Sequence, residues 1–185
     1  MKKYLLLFIT ALLSADGSLA ELRLQDYRSF IQETLPFSKG MQLERVNLYF
    51  NHIVNNYDIH TWGVEDYWAT PKEFIVHGSG DCEDFVIAKY FTLKELGVSP
   101  ADMKIFIVKV KDSQNYHAVL GVKNDHNETL ILDNISWKIL PLQKRTDLKA
   151  LYDIKDPALN HSTDPLIQHV LKNFKILQSK INAGK

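Results

Sequence analysis

Gly78-Ser79-Gly80-Asp81-Cys82-Glu83-Asp84-Phe85-Val86-Ile87-Ala88-Lys89-Tyr90-Phe91-Thr92-Leu93-Lys94-Glu95-Leu96-Gly97 is the stretch that decides how this chain is read. It opens on glycines, puts an aspartate where a helix can begin, and closes on a glycine where one can stop. Phe85, Ala88, Phe91 and Leu96 can share its inner face. The pattern predicts a helix over 81–96 with Asp81 as N-cap. Cys82, the single cysteine of the chain, then sits in the first turn. Backbone N–H groups there have no helical partner and carry partial positive charge. Both favour a thiolate, the nucleophilic form of cysteine. The same N–H groups can hold an oxyanion. The plainer alternative is a buried cysteine at a helix start, with Asp81 and Asp84 forming a capping box. Capping and nucleophilic chemistry do not compete.

Downstream the hydrophobic period changes. Met103 to Val110 is rich in Ile and Val and reads as a strand. Tyr116 to Val122 and Thr129 to Leu132 read as two more, joined by a turn over Asn124 to Glu128, and Trp137 to Leu142 as a fourth. Leu166, Ile167, Val170, Leu171, Phe174, Leu177 and Ile181 return to helical spacing. Upstream, Leu22 to Ile31 is partly helical until Pro36 interrupts it. Leu43, Val46, Phe50, Ile53 and Tyr57 mark one face of an amphipathic helix. Asp58 to Gly80 mixes aromatics, glycine and proline, and reads as a long irregular connection pinned by Trp62, Tyr67, Trp68 and Phe74. Helices, then an antiparallel sheet, then a helix make an α+β domain.

A chain of 185 residues suits one domain with a real core. With 45% hydrophobic and 24% charged residues it is not a disordered chain. Its 22 basic and 22 acidic residues cancel, so it lacks the basic surface of a nucleic-acid binder. Residues 1–20 stand apart: Lys2 and Lys3, an apolar run from Tyr4 to Leu13, then small residues with Ser18 and Ala20 in an A-x-A-like order. That layout is a secretory signal peptide, cut near Ala20, with a single domain over 21–185. The apolar run is shorter than the roughly 20 residues of a membrane span. An uncleaved N-terminal anchor is the alternative. Exported proteins use cysteines in pairs, and a lone one is a filler, an intermolecular link or a reactive thiol.

Two residues complete a chemistry for Cys82. His117 lies in the strand from Tyr116, and Asp133 ends the strand from Thr129. An imidazole in reach of the thiol takes its proton and returns it to a leaving amine. A carboxylate beside the imidazole fixes its tautomer. The two face each other if their strands form a hairpin. Singly, His117 reads as a structural strand histidine and Asp133 as a turn residue helped by Asn134; their order after a helix-start cysteine is far more specific. Of the other histidines, His52 and His60 flank a helix end, His77 is in the connection, and His126, His161 and His169 look exposed. Asp81, Glu83 and Asp84 oppose a thiolate by like-charge repulsion. A bound cation would relieve this, and oxygen donors suit calcium better than zinc. Helix N-termini also favour acids with no ion present.

Trp68-Ala69-Thr70-Pro71-Lys72-Glu73-Phe74, Gly80-Asp81-Cys82-Glu83-Asp84-Phe85, His117, Leu132-Asp133-Asn134, Arg145-Thr146-Asp147-Leu148 and Tyr152 together resemble the bacterial transglutaminase-like cysteine proteinases of the LapG type. The resemblance runs from about Gln42 to Tyr152. It implies a papain-like or transglutaminase-like α+β fold and a Cys82-His117-Asp133 triad. It implies a calcium site on Asp81 and Glu83, with Asp84 as a further candidate. It places Trp68 near the site, shaping the substrate cleft or aiding the oxyanion hole; otherwise Trp68 is core. It implies a periplasmic endopeptidase that cuts the N-terminal region of a large surface adhesin and so controls biofilm release. Its expected partner is the periplasmic domain of an inner-membrane cyclic di-GMP receptor. The same triad also serves an acyl transferase or amidase. A non-enzymatic periplasmic binding module is the third reading, opposed by retention of all three residues. The helical pattern from Asp164 to Lys185 matches no motif of the family.

Overall fold

Pro36 ends the first helix, as its missing N–H and fixed φ require. α1 (Lys2–Thr34) stops just before it, and α2 (Lys39–Asn51) follows. The computed structural model describes residues 2–113 and 116–184; of their side chains, those of 2–16, 150 and 151 are excluded. Most of the leader expected at 1–20 therefore lies outside the described side chains. No helix among the described residues is long and apolar enough to cross a membrane. α2 buries Leu43, Val46 and Phe50 as its spacing predicts, but ends before Ile53, and Tyr57 is exposed.

The connection over 58–80 is more ordered than its composition suggests. β1 (Val54–Asn55), α3 (Asp58–Thr61), α4 (Pro71–His77) and β2 (Ser79–Gly80) lie along it. α4 has every end signal a helix can carry. Thr70 and Glu73 form a reciprocal capping box, Pro71 opens the first turn, and Gly78 closes it at φ 76°. A helix of 7 residues is too short for apolar periodicity to reveal, so only the caps announce it. His77 belongs to this helix, not to a loop. Trp68 and Phe74 are buried, and Trp62 and Tyr67 pack on the core, which is the pinning expected of them. β1 and β2 pair in parallel, Val54 with Ser79 and Asn55 with Gly80. This short ladder brings the start of α3 beside Asp81.

α5 (Cys82–Glu95) is the central helix, packed on α2, α4 and the sheet. Phe85, Ala88 and Leu96 are buried as expected, and Gly97 follows at φ 94°. Asp81 occupies the N-cap position but its side chain makes no cap hydrogen bond. The Asp81–Asp84 capping box does not form; Asp84 turns instead to the Ala69 N–H at 2.8 Å.

The sheet is antiparallel: β3 (Met103–Val110), β4 (Tyr116–Lys123), β5 (Thr129–Leu132), β6 (Leu140–Pro141) and β7 (Leu148–Asp153), in the order β6-β5-β4-β3-β7. The first three follow the sequence reading. The expected fourth shrinks to two residues, since Pro141 offers no N–H to a longer ladder. β7 was not expected; it pairs along the free side of β3. Ile105, Ile107, Ala118, Leu120, Val122 and Leu132 join the main core, while Val108, Val119 and Ile131 form a smaller cluster on the opposite face. α6 (Pro165–Asn182) closes the domain, capped by Asp164 and burying Ile167, Val170 and Leu177. The α+β reading is borne out: helices pack against a curled antiparallel sheet.

Candidate active site

The β4–β5 hairpin pairs Leu120 with Leu132, which puts His117 and Asp133 on one face as diagonal neighbours. His117 Nε2 lies 2.8 Å from Asp133 Oδ1. The same oxygen accepts from the Ile135 N–H at 3.0 Å, and Oδ2 accepts from Arg145 Nη2 at 2.8 Å. Asp133 is fully buried. Burial alone would raise its pKa, but the hydrogen bond and charge of His117, then Arg145, outweigh it and hold the carboxyl below its usual range. Arg145 is itself clamped by Asp147, at 2.7 Å from Nη2 and 2.9 Å from Nε. Sequence reading found Arg145 only as part of a motif; its grip on Asp133 depends on a turn that brings 145 under β5.

Asp133 is held from behind as well. Asn51 donates to the Asp133 carbonyl at 2.8 Å and to the Ser136 carbonyl at 3.2 Å. Asn51 and Asn47 in turn accept from the buried Lys89 Nζ at 2.7 and 2.8 Å. Burial lowers the Lys89 pKa to about 7, against a partial upward pull from Asp133. The sequence signal for this brace is a lysine amid the buried positions of α5.

With Nε2 on Asp133, Nδ1 is the His117 nitrogen left to exchange a proton. Cys82 is half-buried and lines two cavities with His117. Its sulfur donates to Glu83 Oε2 at 3.1 Å. Burial, the charges of Glu83 and Asp81, and that hydrogen bond raise the thiol pKa well above its ordinary value; the Ala118 N–H opposes them.

Asp58, Asp81 and Glu83 bring carboxylate oxygens within 4.8 Å of one another. Asp58 Oδ2 accepts from the Tyr67 N–H at 2.5 Å. Asp58 Oδ1 and Asp81 Oδ1 are buried without a hydrogen-bond partner. Orphaned carboxylate oxygens facing one another are costly unless they share a proton or a cation. Burial, followed by mutual repulsion, raises Asp81; burial also raises Glu83. Hard oxygen donors of this kind fit calcium. Of the three expected ligands, Asp81 and Glu83 fall in this group, and its third member is Asp58. Asp84 lies outside the group; its Oδ1 accepts from the Ala69 N–H, its Oδ2 is buried without a partner, and burial pushes its pKa up to about 8. No spacing in the sequence links Asp58 to Asp81; the β1–β2 ladder does.

Trp68 is buried and sits edge-on against Phe174 of α6, 6.4 Å between ring centres. It also lines the smaller cavity at Cys82, so it is both core and wall. His169 is exposed, as expected, yet bonded to Asp66 and beside the same cavity.

The family model of the bacterial transglutaminase-like cysteine proteinase BTLCP matches residues 27–151. This chain belongs to that family. This transglutaminase-like cysteine proteinase has a single cysteine, Cys82. Calcium-bound LapG of Legionella pneumophila is similar to it, at 36% identity and a TM-score of 0.65, covering 75% of this chain and 81% of that one. EGTA-treated LapG of the same organism matches with equal identity and TM-score, over 74% and 76%. No curated protein matches the chain. Residues 152–185 of this proteinase, α6 included, lie beyond the family match.

Proposed function

We propose that this proteinase is a calcium-dependent endopeptidase working through Cys82, His117 and Asp133. One observation carries the reading: the thiol at the N-terminus of α5 shares its cavities with an imidazole whose far nitrogen is bound to a buried, ionised carboxylate. In the first step the Cys82 thiol gives its proton to His117 Nδ1 and the sulfur attacks the scissile carbonyl carbon. The N–H groups of the first turn of α5 face the developing oxyanion. His117 then protonates the leaving amine, and a new N-terminus departs. Water, deprotonated by His117, attacks the thioester; the carboxylate product leaves and the thiol proton returns to sulfur. Asp133 holds the ring in the tautomer that this sequence needs.

Asp58, Asp81 and Glu83 would hold the calcium ion. When bound, it supplies positive charge that offsets the carboxylates on either side of Cys82. Without that charge, burial and the carboxylates of Glu83 and Asp81 keep the proton on the Cys82 sulfur, which donates to Glu83.

The leader layout supports export to the periplasm. Membership of the family and the likeness to LapG support, as substrate, the N-terminal region of a large surface adhesin, with biofilm release as the outcome. The resemblance also supports control by the periplasmic domain of a cyclic di-GMP receptor. The test is incubation of the purified protein with the host's adhesin N-terminal region, with calcium, with EGTA, and as Cys82→Ala. Mass spectrometry should find a new N-terminus only with both calcium and Cys82. A crosslinked mass in its place would mean acyl transfer, and intact adhesin in every arm would remove the adhesin reading.

A further inference from the structure

Two cavities meet at Cys82 and His117. The larger, about 480 Å3, runs between Asn55–Tyr57 and Asn134–Ile135 and is mostly polar. The smaller, about 210 Å3, is different. Trp68, Ile107 and Ala118 line it together with Leu166, His169 and Val170 of α6. Part of its wall is thus supplied by a helix beyond the family match.

That helix is fixed, not loosely laid down. Asp66 joins His169 and accepts from Asn173 Nδ2 at 2.6 Å. Lys180 Nζ donates to the Trp68 carbonyl at 2.5 Å and lies 3.9 Å from the centre of the Tyr67 ring. Val170 and Leu177 are buried in the main core.

We propose that α6 builds a specificity subsite beside Cys82, which takes one aliphatic side chain of the bound peptide. The proposal rests on the proteinase reading and adds a determinant to it. The cavity is smaller than the roughly 300–1,000 Å3 of small-molecule sites, so it suits a side chain and not a free ligand. Trp68, Ile107, Ala118, Leu166 and Val170 give it an apolar lining, and Cys82 lies on its wall. Glu65, Asp66, Asp81 and Glu83 also line it and turn acidic side chains away. Leu166, half-buried and on the cavity wall, sets the depth.

The test reads Cys82 alkylation by N-alkyl iodoacetamides from methyl to hexyl, in calcium, by intact mass. A parallel arm digests a degenerate peptide library and reads the residues beside each cut. In the wild type each methylene that fits should speed alkylation by up to about fourfold, the equivalent of ~0.8 kcal/mol per buried CH2, until the cavity is full. Leu166→Trp should move the optimum to shorter chains and Leu166→Ala to longer ones, with the same shifts in the library. Ile176→Ala, an exposed site on α6 away from the cavity, should change neither. Rates indifferent to chain length in the wild type, or both Leu166 variants scaling every reagent equally, would overturn the subsite. An intact library beside length-ranked alkylation would remove the proteinase reading and keep the subsite. Cleaved peptides beside indifferent alkylation would do the opposite.

Discussion

Asp133 is gripped by His117 on one oxygen and Arg145 on the other, and both partners are nearly buried. Removing one partner of such a pair leaves a stranded charge, at a cost of about 3–5 kcal/mol. Arg145→Met should lose stability of that order in urea melts. The pH response has a definite sign. Asp133 is held below its unfolded pKa, so its stabilisation is present above the ordinary carboxylate range and lost as pH falls through the native value. Arg145→Met weakens the hold and should raise the midpoint of acid unfolding. Cys82→Ala should behave in the opposite way, with cleavage abolished and the thermal melt nearly unchanged, since it removes one small half-buried group. The acidic group gives a third expectation. Asp81 and Glu83 are raised in the native state, so cation-free protein should lose stability as pH climbs above the carboxylate range near about 4. Calcium binding should then release protons, giving calorimetric enthalpies that differ between buffers of different ionisation heat. Equal enthalpies would mean the carboxylates are already ionised.

At the scale of elements, α5 carries the site and α2 braces it through Lys89. Lys89 titrates near about 7 in the folded chain, far below the ordinary lysine value. Between those two values the unfolded chain binds a proton that the native chain sheds, so this residue makes stability rise with pH. Lys89→Met should flatten that slope in urea melts at pH 7, 8 and 9 with calcium present; an unchanged slope would place its source elsewhere. The sequence announced α5, β3, β4 and β5 because caps and hydrophobic period agree over their length. It announced the thiol, imidazole and carboxylate because a hairpin obliges 117 and 133 to meet. It concealed α4, whose seven residues show only their caps, and β7, whose residues find a partner across β3 that no local signal names. Asp58 was hidden for the same reason: a two-residue parallel ladder, not spacing, carries it to Asp81.

Across the whole molecule, the described hydrogen bonds from α1 to the rest of the domain begin at Arg23. It donates to the Val76 and His77 carbonyls, both at 2.6 Å. Tyr27 then reaches Thr92 at 3.0 Å, and Phe30 stacks on Tyr49 at 4.1 Å. A chain starting at Glu21 keeps all of these, so it should melt at the same temperature as one starting at Met1. A lower melting temperature by calorimetry would mean that residues 1–20 take part in the fold. The run from Gly80 to Asp84 is tightly packed at its start. A Cβ on Gly80 would lie 2.3 Å from Asp84 Oδ2 and 2.9 Å from Phe74. Asp81 and Glu83 share the acidic group with Asp58, Cys82 holds the sulfur, and Asp84 is tied to Ala69. Within five residues the demands interlock: Gly80 leaves room for Asp84, and Asp81 and Glu83 act together on one group. In a saturation library selected for cleavage, this run should appear as an unbroken trench of intolerance. A second substitution that eases one contact, such as a shorter side chain at Asp84 beside Gly80→Ala, gives up the Asp84 tie to Ala69, so changes here must come in concert with residues outside the run.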